Sequence, residues 1–187
     1  QEHLIRVKND EAVDIPNGSV VYASRSVGNV KYIKIASNDD GIDANRVVGV
    51  ATETIRVNSF GFITTTGLVR EMNTGGLTGG QTVYLGTNGS ITPTAPDAPN
   101  KKVVVGIVVR PHASEGELYV RLKSIPELQS LSDVEGVPDT SGQFYVYNST
   151  NERFELSSET NKPIFDNLEP GVVPYTDTDK SLTNSSL

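Results

Sequence analysis

Residues 103–109 read VVVGIVV, a glycine set inside an unbroken apolar run. Seven residues with this much valine suit a strand buried on both faces better than a helix. A glycine at that place marks a bulge, a bend or a close backbone approach. The pattern has an echo upstream. Val47-Val48-Gly49-Val50 repeats Val104-Val105-Gly106-Ile107. Working outward, Gly18-Ser19-Val20-Val21-Tyr22 resembles Gly80-Gln81-Thr82-Val83-Tyr84, and Gly61-Phe62-Ile63 resembles Gly116-Glu117-Leu118. The order is kept at spacings of roughly 55–62 residues. Two related halves follow, each supplying a Val-Tyr strand, a buried Val-Val-Gly strand and a closing strand.

The rest of the front reads the same way. Further strand candidates are Leu4–Val7, Val30–Ile35, Thr54–Val57, Gly61–Thr65, Val69–Met72 and Glu117–Leu122. Gly-, Asn-, Asp- and Pro-rich turns separate them, and no sustained helical period occurs before residue 125. The expected fold is all-β: a β-barrel or β-sandwich over residues 1–123 with two weakly repeated halves.

From Ser124 the texture changes. Residues 124–130 carry Pro and polar groups and read as a linker. Gly142–Asn148 and Arg153–Leu156, joined by a turn at Asn148–Asn151, read as a small β-hairpin within residues 131–157. A lone hairpin is barely stable in water, so it needs another surface. Residues 158–187 hold few large apolar groups and read as an extended acidic tail. The last residues, KSLTNSSL, carry no stop signal, and the chain is expected to continue past Leu187; it opens on Gln rather than Met, as it would if an initiator or short leader preceded it.

Charge follows this division. The net charge is −7, but residues 1–123 hold 13 Lys+Arg against 12 Asp+Glu, while residues 124–187 hold 3 against 11. The acidic rear argues against nucleic acid as a partner, and it keeps a poorly cored segment soluble. Cysteine is absent, which removes disulfides, thiolate catalysis and Cys-based zinc sites. No apolar run reaches membrane-spanning length, so no membrane partner is expected.

No motif carries chemistry. His3 and His112 lack a carboxylate or second histidine at metal spacing and read as surface residues. Gly75–Thr82 nearly fits a phosphate loop, but Gln81 stands where lysine is needed and a strand follows instead of a helix. Asn38–Asp43 clusters oxygens without the ligand alternation of a calcium loop and reads as a solvated loop. Four Asn-x-Ser/Thr sequences matter only in a eukaryotic secretory setting. No Ser has nucleophile-elbow context, and nothing fixes two carboxylates at a working separation. The reading is a binding or structural chain rather than an enzyme, with no cofactor and no metal.

Val20–Ser24, Val47–Ala51, Asn58–Gly67 (NSFGFITTTG), Gly79–Gly86 (GGQTVYLG), Gly89–Pro96 (GSITPTAP) and Val104–Arg110 together resemble a β-rich module common in tailed-bacteriophage virion proteins. That module occurs in tail-fibre-like, head-fibre and decoration proteins, and the resemblance covers about residues 10–123. Leu131-Ser132-Asp133-Val134, Gly142-Gln143, Tyr147-Asn148 and Phe154 resemble the short "LSDV … G … L-x-Y-N … W" units of phage fibres. Here Phe144 stands where an aliphatic is usual and Phe154 where Trp is usual. Gly171–Asp177 (GVVPYTD), with Ser181-Leu182-Thr183, is similar to the joint that often leads into a trimeric fibre or spike.

The resemblance implies the anchoring portion of a head or tail fibre on the virion surface, a homotrimer that also meets capsid, portal, collar or tail proteins. Leu131, Val134, Phe144, Val146 and Phe154 would then form shared trimer core. Two alternatives stand beside it. One is a decoration (cement) protein complete in its β-domain. The other is a carbohydrate-binding module, which the absence of Trp disfavours.

Overall fold

The computed structural model describes residues 2–39, 44–126, 128–139 and 143–157. The chain divides into two compact units, residues 1–125 and 126–187. Among the described residues the first unit holds nine strands: β1 (His3–Asn9), β2 (Val20–Val27), β3 (Val30–Ile35), β4 (Val47–Ala51), β5 (Phe60–Met72), β6 (Thr82–Leu85), β7 (Ile91–Thr92), β8 (Val103–Arg110) and β9 (Gly116–Ser124). All belong to one sheet of order β1-β3-β2-β4-β5-β9-β8-β6-β7.

β1 also pairs antiparallel with β5, so β1-β3-β2-β4-β5 closes into a five-stranded barrel. Closure removes the free strand edges that an open sheet would present to other chains. Its interior is Val7, Ile15, Val21, Ile33, Ala51, Ile55 and Ile63. Alternation produces this core directly: in β1, Val7 and Asn9 are buried while Arg6 faces out. A second apolar core, with Val69, Val83, Val105, Val108, Leu118 and Val120 at its centre, lies under β6, β8, β9 and the end of β5.

The internal repeat is real in register. Val21 opposes Gly49 in the β2–β4 ladder, and Val83 opposes Gly106 in the β6–β8 ladder. A bulge follows each, before Tyr22 and before Tyr84. Ahead of them, Gly18 and Gly80 share a φ of +82°. The Gly18 N–H donates to Ala51 O at 2.8 Å, and the Gly80 N–H to Val108 O at 2.7 Å. Ala51 then opposes Ile63 in β5, as Val108 opposes Leu118 in β9.

The strand candidates differ from the structure at three places. Gly61–Thr65 and Val69–Met72 form one thirteen-residue strand, because the first part of β5 pairs with β1 and β4 while its end pairs with β9. Gly67, at φ +124°, lies within it without ending it. Thr54–Val57 is not a strand; Ile55 makes only an isolated bridge to Ile15. β7 is two residues long and carries no pattern of its own.

The halves also differ. The end of β5 lies beside β9 as β1 lies beside β5: Val69 opposes Leu118 as Ile5 opposes Ile63. In the first half the ring is then sealed by parallel pairing of β1 with β3. In the second half β7 pairs only with β6, and the corresponding seam stays open.

In the second unit, β11 (Tyr145–Asn148) and β12 (Arg153–Leu156) form the expected hairpin. A third strand, β10 (Val134–Glu135), adds to β12 in parallel. The chain from residue 158 onward, expected as an extended tail, lies outside the described residues, as do Asp40–Asp43 of the loop weighed for calcium.

Candidate docking surface

The outer wall of the closed barrel carries a register-aligned row across four strands. Phe60 of β5 opposes Lys8 of β1, Lys8 opposes Tyr32 of β3, and Tyr32 opposes Arg25 of β2. Ring and cation thus alternate along the hydrogen-bonding direction. In the neighbouring row Arg6 opposes Phe62. The cations lie over the rings: Arg6 Cζ is 4.0 Å from the Phe60 centroid, and Arg25 Cζ is 4.0 Å from that of Tyr32. Lys8 Nζ sits between Tyr32 at 5.5 Å and Phe60 at 5.8 Å. Arg46 adds a further contact on Tyr22 at 5.1 Å. Phe60 is 45% exposed and Phe62 is 43% exposed, so the wall is not a covered core.

Asp10 anchors one end of this ladder. Arg25 donates to it through Nε at 3.1 Å and Nη2 at 2.7 Å, and Ser24 Oγ donates at 3.0 Å. The Arg25 hydrogen bonds hold the Asp10 carboxyl below its ordinary range, and Asp10 in turn raises the guanidinium. Arg6 and Lys8 form no ion pair with any described residue.

The open seam forms a second feature, a groove of about 380 Å³ lined by Asn17, Met72, Asn73, Leu77, Ser90 and Ile91 among others. Asn17 partly covers the strand edge there, its Nδ2 donating to Arg70 O at 3.2 Å and Glu71 O at 2.9 Å.

The small sheet of the second unit brings together two of the five residues expected as trimer contacts. Val134 opposes Phe154 in the β10–β12 pairing, and Tyr147 meets the Phe154 ring edge-on at 5.3 Å. Phe144 and Val146 are half-buried in or beside β11, while Leu131 and Phe154 are 40% and 42% exposed. Asn148 and Asn151 side-chain amides and Arg153 all donate to Glu155, which drops its pKa from the ordinary 4.5 to about 2.

Of the other residues weighed for chemistry, His3 opens β1 with its Nδ1 2.8 Å from Thr65 Oγ1, while His112 and Gln81 sit in turns. His112 Nδ1 accepts from the backbone of Glu115 at 2.8 Å, capping the β8–β9 turn. Gln81 accepts from Thr78 N at 3.0 Å in the glycine turn before β6. Among the described residues, no cluster of His, Asp or Glu has metal-binding geometry.

The cation–ring ladder was not legible as a unit. Each strand shows its own alternation, such as Leu4-Ile5-Arg6-Val7-Lys8, but the pairing of Lys8 with residues 24 and 52 positions away is a property of the fold.

Strand-built walls, a row of cations over rings and an open seam make up an all-β module with no cluster of metal-binding geometry among its described residues. Its family is specific: residues 1–124 match the profile of the phage cement proteins, and the chain belongs to that family. It is a structural component of the bacteriophage virion, carried on the particle. No curated protein matches the chain. Among solved structures, the N-terminal base of the head fibre protein gp8.5 of bacteriophage phi29 is similar at 12% identity, with a TM-score of 0.43, over 68% of this chain and 100% of that one.

Proposed function

We propose that this chain is the anchoring portion of a trimeric head or tail fibre. On this reading residues 1–123 dock to the particle and 124–130 connect. Residues 131–157 gather three chains, and 158–187 lead into a shaft. The observation that carries it is the small sheet. Strands of two, four and four residues leave Leu131, Tyr147 and Phe154 exposed, and a sheet of that size holds together poorly unless it packs on something else. Three copies about one axis would convert Leu131, Val134, Phe144, Val146 and Phe154 from stranded apolar groups into shared core. The chemistry is assembly by burial and strand pairing, without catalysis or cofactor.

Analytical ultracentrifugation tests this. Residues 1–187 should sediment as a trimer, or approach one as concentration rises, and deletion of 131–187 should return a folded monomer. A well-folded monomer of the full chain at every concentration would remove the trimer. A trimer surviving the deletion would move the threefold contact into the β-domain.

A second reading is a cement protein complete in its β-domain. It is favoured by the family match, which ends at residue 124. Imaging of the particle separates the two: a fibre anchor continues into a projection, whereas a cement subunit ends as a cap on the shell.

A further inference from the structure

The geometry points to the cation–ring ladder on β1, β2, β3 and β5 as the face through which the β-domain meets a carboxylate-rich surface of another virion protein. This rests on the reading that residues 1–123 dock to the particle, and it names the face and the partner's chemistry.

Three observations carry it. First, charge is left over. Asp10 neutralises Arg25, but Arg6 and Lys8 have no acidic partner among the described residues. Complementary carboxylates would complete them.

Second, the cations are already placed. A guanidinium over a ring can still present its N–H donors to a carboxylate, as Arg25 over Tyr32 does to Asp10. Because Phe60 holds Arg6 in position, little further freedom of that side chain is lost on binding. The register row spans four strands, about 15 Å, wide enough to seat several partner side chains.

Third, apolar area accompanies the charge. Phe60, Phe62 and Leu4 are each more than 40% exposed on this wall. Exposed aromatics interleaved with arginine make up the composition of interface anchors.

The same residue types could serve single-stranded nucleic acid, which stacks bases on exposed rings. Here the faces of Phe60 and Tyr32 are occupied by guanidinium groups. The β-domain also holds 13 Lys+Arg against 12 Asp+Glu, without the strong positive excess that a phosphate backbone calls for. A protein surface is therefore the occupant argued for.

The test uses the full chain and purified particles that lack it, with binding followed by co-sedimentation. Arg6→Glu with Lys8→Glu should weaken binding by at least about tenfold. Arg121→Glu with Lys123→Glu, an equal charge change on β9, should leave it within about twofold, since surface charges outside the contact contribute little. Wild-type binding should weaken as salt rises. Thermal melting checks each variant. If the double reversal does not fold, Arg6→Gln with Lys8→Gln replaces it and should lose binding in the same direction. Equal losses in the β1 and β9 variants, or no loss in either, would overturn the ladder as the contact while leaving docking intact. Failure of the wild-type chain to bind particles would remove the docking reading itself, and the ladder with it. Binding of single-stranded DNA by the wild type that the β1 reversal abolishes, without particle binding, would reassign the face to nucleic acid.

Discussion

At the residue scale, Gly106 decides how closely two strands approach. A Cβ built there would meet Tyr119 O at 2.2 Å and Tyr119 C at 3.0 Å, both backbone atoms of the paired strand. Backbone cannot swing aside as a flexible side chain can, so β8 and β9 would have to part. Gly49, its counterpart in the first half, is less confined: its nearest neighbours are Ile63 Cδ1 and Thr64 O, each at 2.9 Å. We expect Gly106→Ala to cost about 3 kcal/mol and Gly49→Ala about 1–2 kcal/mol, within the range for overpacking a tight site. Denaturant unfolding of residues 1–125 would rank the two. An order reversed from this would mean that β8 and β9 can relax apart without loss. The glycine inside an apolar run was legible as marking a bulge, a bend or a close approach. That it stands at a close approach beside a bulge was not, because the atom it must avoid belongs to residue 119 and the bulge between Val104 and Gly106 is a matter of pairing, both supplied by other strands.

At the element scale, the hairpin β11–β12 shows a charge placed to hold a turn. Glu155 accepts from Asn148 Nδ2 at 2.9 Å, Asn151 Nδ2 at 2.7 Å and Arg153 Nε at 3.0 Å. These donors favour the ionised carboxylate and depress its pKa to about 2. The unfolded hairpin therefore takes up a proton before the folded one does. The contribution of Glu155 is complete above its ordinary pKa of 4.5 and is lost as pH falls from there toward about 2. Protection factors of the Tyr145–Leu156 amides, taken against the intrinsic exchange rate at each pH, should fall across that window, and Glu155→Gln should flatten the change. Because the site is open to solvent, added salt should reduce the effect. Unchanged pH dependence in Glu155→Gln would mean that another group carries it. The two antiparallel strands could be read from their alternation and turn residues. β10 could not: Val134-Glu135 is too short to carry a period and becomes a strand only because β12 offers it an edge.

At the scale of the whole molecule, the two halves of the β-domain are alike in register and unequal in independence. The first core is drawn entirely from residues 7–63 and sealed in a closed ring. The second core includes Val20, Ala36, Val47 and Val50 from the first half, and its own seam is open. Residues 67–125 alone should therefore show no cooperative unfolding by circular dichroism or calorimetry. Residues 1–125 should unfold in one transition, as single domains of this size usually do. A cooperatively folding 67–125 fragment would contradict the shared core.

The all-β class, the two related halves, the hairpin and the neutral-front, acidic-rear division can all be read from residue order alone. Each of these is written in local alternation, in turn residues or in composition, which need no knowledge of which strand lies beside which. Tertiary structure decided the rest: that β1 closes one ring while β7 leaves the other open, that β5 runs unbroken between both halves, and that Phe60, Lys8, Tyr32 and Arg25 fall in one row. Those are matters of register between segments far apart in the chain. Register is set by the joint burial of both cores, which no single stretch of residues contains.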